Sequence, residues 1–223
     1  MKIIILGATR GLGLELVRMH LQEGHMVAAG VIDRTSPPSL VELDRQYPGK
    51  LKVFQADVTN EEELLLGAHI CTDFLGAADG LVNVAGVLLQ GDRVNPLYQC
   101  DVKELRTTFE VNTIGAIIAV KCFYPVMNKD GEAKYITITS EGVGVKNPGD
   151  WVPCYALSKT AATKVAGIMN MMVKDVAFYS LHPGRMNTEM GRQTAQIEPR
   201  ESAQGIYNIL NGVTPVSVAE WYI

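Results

Sequence analysis

Several marks of special protein classes are missing from this sequence. It has four cysteines, Cys71, Cys100, Cys122 and Cys154, and no Cys-x-x-Cys pair, so neither a disulfide framework nor a zinc ribbon is expected. Its four histidines are equally dispersed, and no metal is expected. The 20 Lys and Arg residues form no basic run and are outnumbered by 24 Asp and Glu, which argues against nucleic acid or an anionic membrane as the main partner. No apolar stretch approaches the ~20 residues of a membrane span. The opening run Ile3 to Leu6 stops at Gly7, too early for the core of a signal peptide. A soluble, cytoplasmic chain with no membrane and no nucleic-acid partner is the expectation.

What is present is alternation. Short β-branched or apolar runs at 3–6, 26–32, 51–55, 81–85, 133–139 and 177–181 read as strands, with a last one at 216–223. Between them lie segments of helical periodicity, at 12–24, around 40–47, from a Thr59 N-cap to about 74, at 102–127, 154–172 and 201–210. Strands of continuous apolar character alternating with helices specify an α/β fold, a doubly wound Rossmann-type parallel sheet of about seven strands in the order 3-2-1-4-5-6-7 with helices on both faces. With 223 residues and no linker or repeat, one domain over 1–223 is expected.

The turn after the first strand reads Gly7-Ala-Thr9-Arg10-Gly11-Leu12-Gly13. Glycines there permit a tight turn and close approach of a pyrophosphate, and the following helix N-terminus presents free N–H groups to it. Gly7, Thr9, Arg10, Gly11, Leu12 and Gly13 are therefore candidate dinucleotide ligands. Asp33, 20 residues after Gly13, fits a carboxylate on the ribose hydroxyls of NAD, whereas a basic residue would pair the 2′-phosphate of NADP. Arg34 lies beside Asp33 and points the other way.

Tyr155 and Lys159 are four apart at the start of a predicted helix, so they share a face. A nearby ammonium and a positive nicotinamide ring would favour phenolate and bring the tyrosine pKa toward the working range. Ser140 ends the fifth strand, 15 residues earlier, at the edge where parallel-sheet ligand sites form. Taken singly, each has a plain structural reading: a surface helix pair for Tyr155 and Lys159, a cap or turn for Ser140.

The Gly-x-x-x-Gly-x-Gly spacing, Ala-Asp57-Val58, Asn83-Val-Ala85-Gly86, Asn112, Ser140, Tyr155-x-x-x-Lys159 and Pro183-Gly184 with Thr188 follow one another in the order of the short-chain dehydrogenase/reductase family, which the chain resembles over roughly residues 1–215. The resemblance implies that Asp57 and Val58 contact the adenine and that Asn83, Ala85 and Gly86 line the cofactor. It also implies that Pro183, Gly184 and Thr188 pack on the nicotinamide, and that Tyr155 and Lys159 touch the cofactor as well. Asn112, Ser140, Tyr155 and Lys159 would be catalytic, with Ser140 orienting a carbonyl and Asn112 holding a water in a proton relay to Lys159. Arg10 resembles the basic residue of NADP-preferring members and tips the choice to NADP, with NAD the alternative. Val84 departs from the family's second Asn.

The implied activity is NAD(P)(H)-dependent reduction of a ketone or aldehyde, or oxidation of the alcohol; a catalytically silent dinucleotide sensor of the same fold is the rival. Its short length and the stretch at 201–206 resemble small carbonyl reductases of the C-factor-like branch, with a substrate loop at about 185–200 and Trp151, Val152 and Cys154 forming the opposite wall. Apolar residues beyond one core face (Ile114, Ile117, Ile118, Ile168, Met169, Met171, Met172) suggest a homodimer or homotetramer.

Overall fold

A computed structural model describes residues 1–33, 35–191 and 195–216. Six strands, β1 (Lys2–Leu6), β2 (Met26–Val31), β3 (Leu51–Gln55), β4 (Gly80–Asn83), β5 (Lys134–Ile138) and β6 (Ala177–Leu181), form one sheet. All neighbours pair parallel, in the order β3-β2-β1-β4-β5-β6. The predicted seventh strand falls almost wholly outside the described residues.

The sheet is Rossmann-like because its strands are apolar on both faces. Ile3 and Ile5 join Leu12, Leu16 and Val17 of α1 (Gly11–Gln22) and Ile206 of α7 (Pro199–Leu210) in one core. Ile4 and Leu6 join Leu64 of α3 (Glu61–Leu75), and Ala119 and Phe123 of α5 (Gly115–Phe123), in the other. Each side chain of this run is fully buried, at roughly 1.5–3 kcal/mol of stabilisation apiece. The order reverses between β1 and β4, so their carboxyl ends open the crevice in which such sheets bind ligands.

Three expectations are revised. Asn60, not Thr59, caps α3, accepting from Glu63 N (3.2 Å); Thr59 donates its N–H and hydroxyl to the Asp57 carboxylate instead. The predicted helix 102–127 is α4 (Val102–Phe109), a π-helical turn (Glu110–Ile114), α5 and a short 3₁₀ turn. That run, Val102–Val126, is long and apolar enough to cross a membrane, against the reading that no stretch approaches this. Its apolar side serves the core through Ala116, Ala119 and Phe123.

Candidate active site

At the phosphate end, backbone does the shaping. Gly7 takes φ +81°, and a Cβ on it would lie 2.9 Å from the Ala85 nitrogen, so the turns after β1 and β4 touch. A Cβ on Gly13 would lie 2.1 Å from the Gly7 carbonyl oxygen, which no side chain can relieve. Gly11 (φ +54°) faces the Thr188 methyl, 3.3 Å from where its Cβ would be. Arg10 is the N-cap of α1 but makes no side-chain cap, so the first-turn N–H groups, Leu12 among them, face the crevice with the helix's positive end. A cradle that a single Cβ would fill fits the phosphates of a dinucleotide.

Other sequence-predicted nucleotide residues are held by local bonds. Asn83, buried, accepts from Ala85 N (3.1 Å) and fixes the turn. The Asp57 carboxylate is taken up by Thr59, while its own N–H donates to Glu63; Val58 is buried against the place where Gly115 needs no Cβ. Gly184 adopts φ +83° with Ile197 closing on it, and Thr188 accepts from Gly191 N (3.2 Å). Pro183 is half-buried beside it. Thr9 is half-buried and Asp33 exposed, two residues past the end of β2. Arg34 lies outside the described residues. Arg10 is not free: its guanidinium is ion-paired with Glu189 of the loop after β6.

At the chemical end, side chains converge. Tyr155 and Lys159 lie in the first two turns of α6 (Pro153–Met172). Lys159 is 3% exposed; its Nζ donates to the Ile138 carbonyl (2.9 Å) and lies 5.7 Å from the centroid of the Tyr155 ring. Asn112, 2% exposed, sits in the π-helical turn, where the widened backbone gives an amide an inward position. Its Oδ1 accepts from Val87 N (2.8 Å), and its Nδ2 donates to Val87 O (2.9 Å) and Ser158 Oγ (3.0 Å). The Ser158 hydroxyl donates on to the Tyr155 carbonyl (2.7 Å). Lys159 Nζ and Asn112 Oδ1 both lie against the bare Cα of Gly86, 2.9 and 3.1 Å from where a Cβ would be. Ser140 follows β5 and caps a 3₁₀ turn, accepting from Gly142 N (3.3 Å).

The expected lowering of the Tyr155 pKa needs a nicotinamide ring as well as Lys159, and in the chain by itself burial governs both groups. Burial pushes the Tyr155 phenol up to about 12, and the cation opposing that rise is the Arg93 guanidinium. Burial also pushes Lys159 down to about 8. The ammonium is turned to the Ile138 carbonyl at the end of β5.

In the loop after β6, expected to take the substrate, Met186 bridges Ile197, and the loop is tied to its surroundings by Arg185–Glu141 (2.5 Å) and by Arg93 Nη2 on the Met190 carbonyl (2.5 Å). Arg192 and Gln193 of this loop lie outside the described residues. Trp151 stands beneath the Arg185 guanidinium, 5.5 Å from ring centroid to Cζ. Cys154, expected in the same wall, is buried instead on the far side of α6, in a pocket lined by Asp92, Cys100 and Thr108. Asp92 and Ser158 escaped the sequence reading: Ser158 occupies an unspecified position of the Tyr155-x-x-x-Lys159 motif, and Asp92 acts across 63 residues.

Comparisons with known proteins show the family and the fold. The short chain dehydrogenase family profile matches residues 1–199. The chain is 28% identical over 188 residues to the 7alpha-hydroxysteroid dehydrogenase of Escherichia coli K12, covering 83% of this chain and 71% of that one. Its fold matches the carbonyl reductase Sniffer of D. melanogaster at a TM-score of 0.84 (21% identity; 94% and 90% of the two chains). It also matches a short-chain dehydrogenase/reductase from Burkholderia multivorans with bound NADP at 0.82 (21% identity; 95% and 90%). The chain belongs to the short chain dehydrogenase family of oxidoreductases.

Proposed function

We propose that the protein reduces a small ketone or aldehyde with a nicotinamide dinucleotide, NADP in preference to NAD, and oxidises the corresponding alcohol in reverse. The observation that carries this reading is the convergence of Lys159 and Asn112 on Gly86, with the Tyr155 ring 5.7 Å from the Lys159 ammonium, at the sheet edge that also bears the glycine turn. A bound NAD(P)H supplies the hydride.

The chain's own residues then do the rest. The Tyr155 phenol, whose pKa burial raises further above the neutral range, donates its proton to the carbonyl oxygen as negative charge develops there. Ser140, whose oxygen accepts from Gly142 N, keeps its O–H proton to donate to the same oxygen and orient the substrate. Lys159 binds the ribose hydroxyls and returns a proton toward Tyr155, and Asn112 completes the path by holding a water that links Lys159 to bulk solvent. The preference for NADP rests on Arg10, exposed at the start of α1, whose guanidinium suits a phosphate better than the single pair with Glu189; Asp33 opposes it. The remaining cofactor contacts are the Gly7–Gly13 turn, Asp57, Val58, Asn83, Ala85, Gly86, Pro183, Gly184 and Thr188.

The protein acts as a single cytoplasmic domain and as a homodimer or homotetramer. Exposed Ile114, Ile117, Ile168, Met171 and Met172 on the helical run Val102–Val126 and on α6 support the pairing, since apolar patches of this kind mark association surfaces. Oxidation of NADPH and NADH is to be followed with a panel of aliphatic and aromatic aldehydes, ketones and quinones. Turnover faster with NADPH is expected. Tight nucleotide binding with no turnover on any carbonyl would point instead to a sensor.

A further inference from the structure

The geometry points to Asp92 as the residue that positions Tyr155. Helix α6 opens at Pro153, and its N-cap, Val152, has no side chain able to cap it. The first-turn N–H groups of Cys154 and Tyr155 therefore need acceptors from elsewhere. Both are met by one carboxylate: Asp92 Oδ1 accepts from Cys154 N (2.8 Å) and Oδ2 from Tyr155 N (2.7 Å).

Asp92 is 6% exposed, within the 3₁₀ turn Gly91–Arg93 that follows β4. Among the described residues no Lys, Arg or His lies within ion-pair distance of it. What compensates the buried charge is the helix N-terminus itself, through two charge-assisted bonds and the positive end of the helix dipole. On the other side, the Tyr155 carbonyl is held by Ser158, and Ser158 by Asn112. Tyr155 is thus fixed at both its N–H and its C=O, which leaves its two side-chain torsions to aim the phenol. The neighbouring Arg93 reaches the Met190 carbonyl across the cleft, so the same anchor holds the strap that faces the substrate loop.

This inference rests on the reading of Tyr155 as the proton donor. It is tested with the full chain, using Asp92→Ala and Asp92→Asn, by amide hydrogen exchange and by NADPH-dependent reduction of menadione or benzaldehyde. In Asp92→Ala, exchange at Cys154 and Tyr155 should rise at least about tenfold while α1 and α7 stay protected, because the first-turn bonds are lost. Its kcat should fall about 10- to 100-fold, the scale of a reacting group displaced by about 1 Å. NADPH affinity should stay within about twofold, and Asp92→Asn, whose one remaining oxygen can still accept from one of the two N–H groups while its Nδ2 cannot, should lose less kcat than Asp92→Ala.

An unchanged kcat in Asp92→Ala would overturn the assignment. So would a loss matched by loss of NADPH binding and of protection throughout the chain, or an Asn variant no better than Ala. If the wild-type protein reduces neither probe, the functional reading fails separately. The exchange rates at Cys154 and Tyr155 then decide the role of Asp92, and unchanged rates reject it.

Discussion

The glycine turn after β1 and the polar cluster around Tyr155 share one edge of the sheet but depend on different atoms. The turn works by what is absent: Gly7, Gly11 and Gly13 leave room for backbone and phosphate, and a single Cβ at Gly13 would meet a carbonyl at 2.1 Å. The cluster works by what is brought in from afar. Lys159 is held from β5, Asn112 from a π-helical turn, and the start of α6 by Asp92. A backbone device of this kind adds little electrostatic cost. A buried ammonium with no carboxylate beside it does the reverse, and its pKa of about 8 records the strain.

The contrast can be broken at either end. The largest effect is expected at Lys159. Lys159→Met should reduce kcat by about 10²- to 10⁴-fold, the range for losing an acid–base group. The same variant should be more stable by about 3–4 kcal/mol at neutral pH, since burial lowers the lysine pKa from 10.5 to about 8 and each unit corresponds to about 1.4 kcal/mol. The sign follows from proton binding: between pH 8 and 10.5 the unfolded lysine holds its proton and the folded one does not, so wild-type stability rises over that window. Thermal melts of both proteins across it should show a rise in the wild type that the variant lacks.

Gly13→Ala should instead weaken NADPH binding about 100-fold by forcing the phosphate turn apart, read by fluorescence titration, while the hydrogen-bond pattern around Tyr155 survives. A third prediction lies outside both regions and calibrates them. His20 is fully buried, its Nδ1 bonded to His25 (2.9 Å), and burial pushes it down to about 3. The unfolded histidine takes up a proton below 6.5 and the folded one does not. Stability should therefore be complete above pH 6.5 and fall as pH drops, by about 2 kcal/mol at pH 5. Denaturant titration at the two pH values measures this, and His20→Leu should flatten the slope. The smallest effect is expected at Arg10. Arg10→Ala should cut the preference for NADPH over NADH about tenfold, the worth of one charge-assisted contact to a phosphate, in parallel titrations with both nucleotides.

The two regions also differ in how far they could be read from the chain itself. Strands buried on both faces leave continuous apolar runs, so β6 was bounded to the residue at 177–181. The glycine turn announced itself because its function is its spacing. Helical periodicity, by contrast, cannot resolve the π-helical turn that seats Asn112, since one widened turn barely disturbs a 3.6-residue rhythm. Thr59 and Asn60 are both good caps, and only the backbone geometry chooses between them. Asp92 looked like any loop acid, because its partners lie 62 and 63 residues on. The direction in which the Lys159 ammonium turns, to the Ile138 carbonyl, was hidden in the same way, although its proximity to Tyr155 along the helix was visible.

The measurement that bears most directly on the account is turnover by Tyr155→Phe, with NADPH affinity measured on the same sample. Loss of the phenol's proton should lower kcat by about 10²- to 10⁴-fold with binding of NADPH within about twofold, since the ring remains and the nucleotide is held chiefly by the turn after β1. Turnover within tenfold of wild type would contradict the account, because the proton would then come from another group.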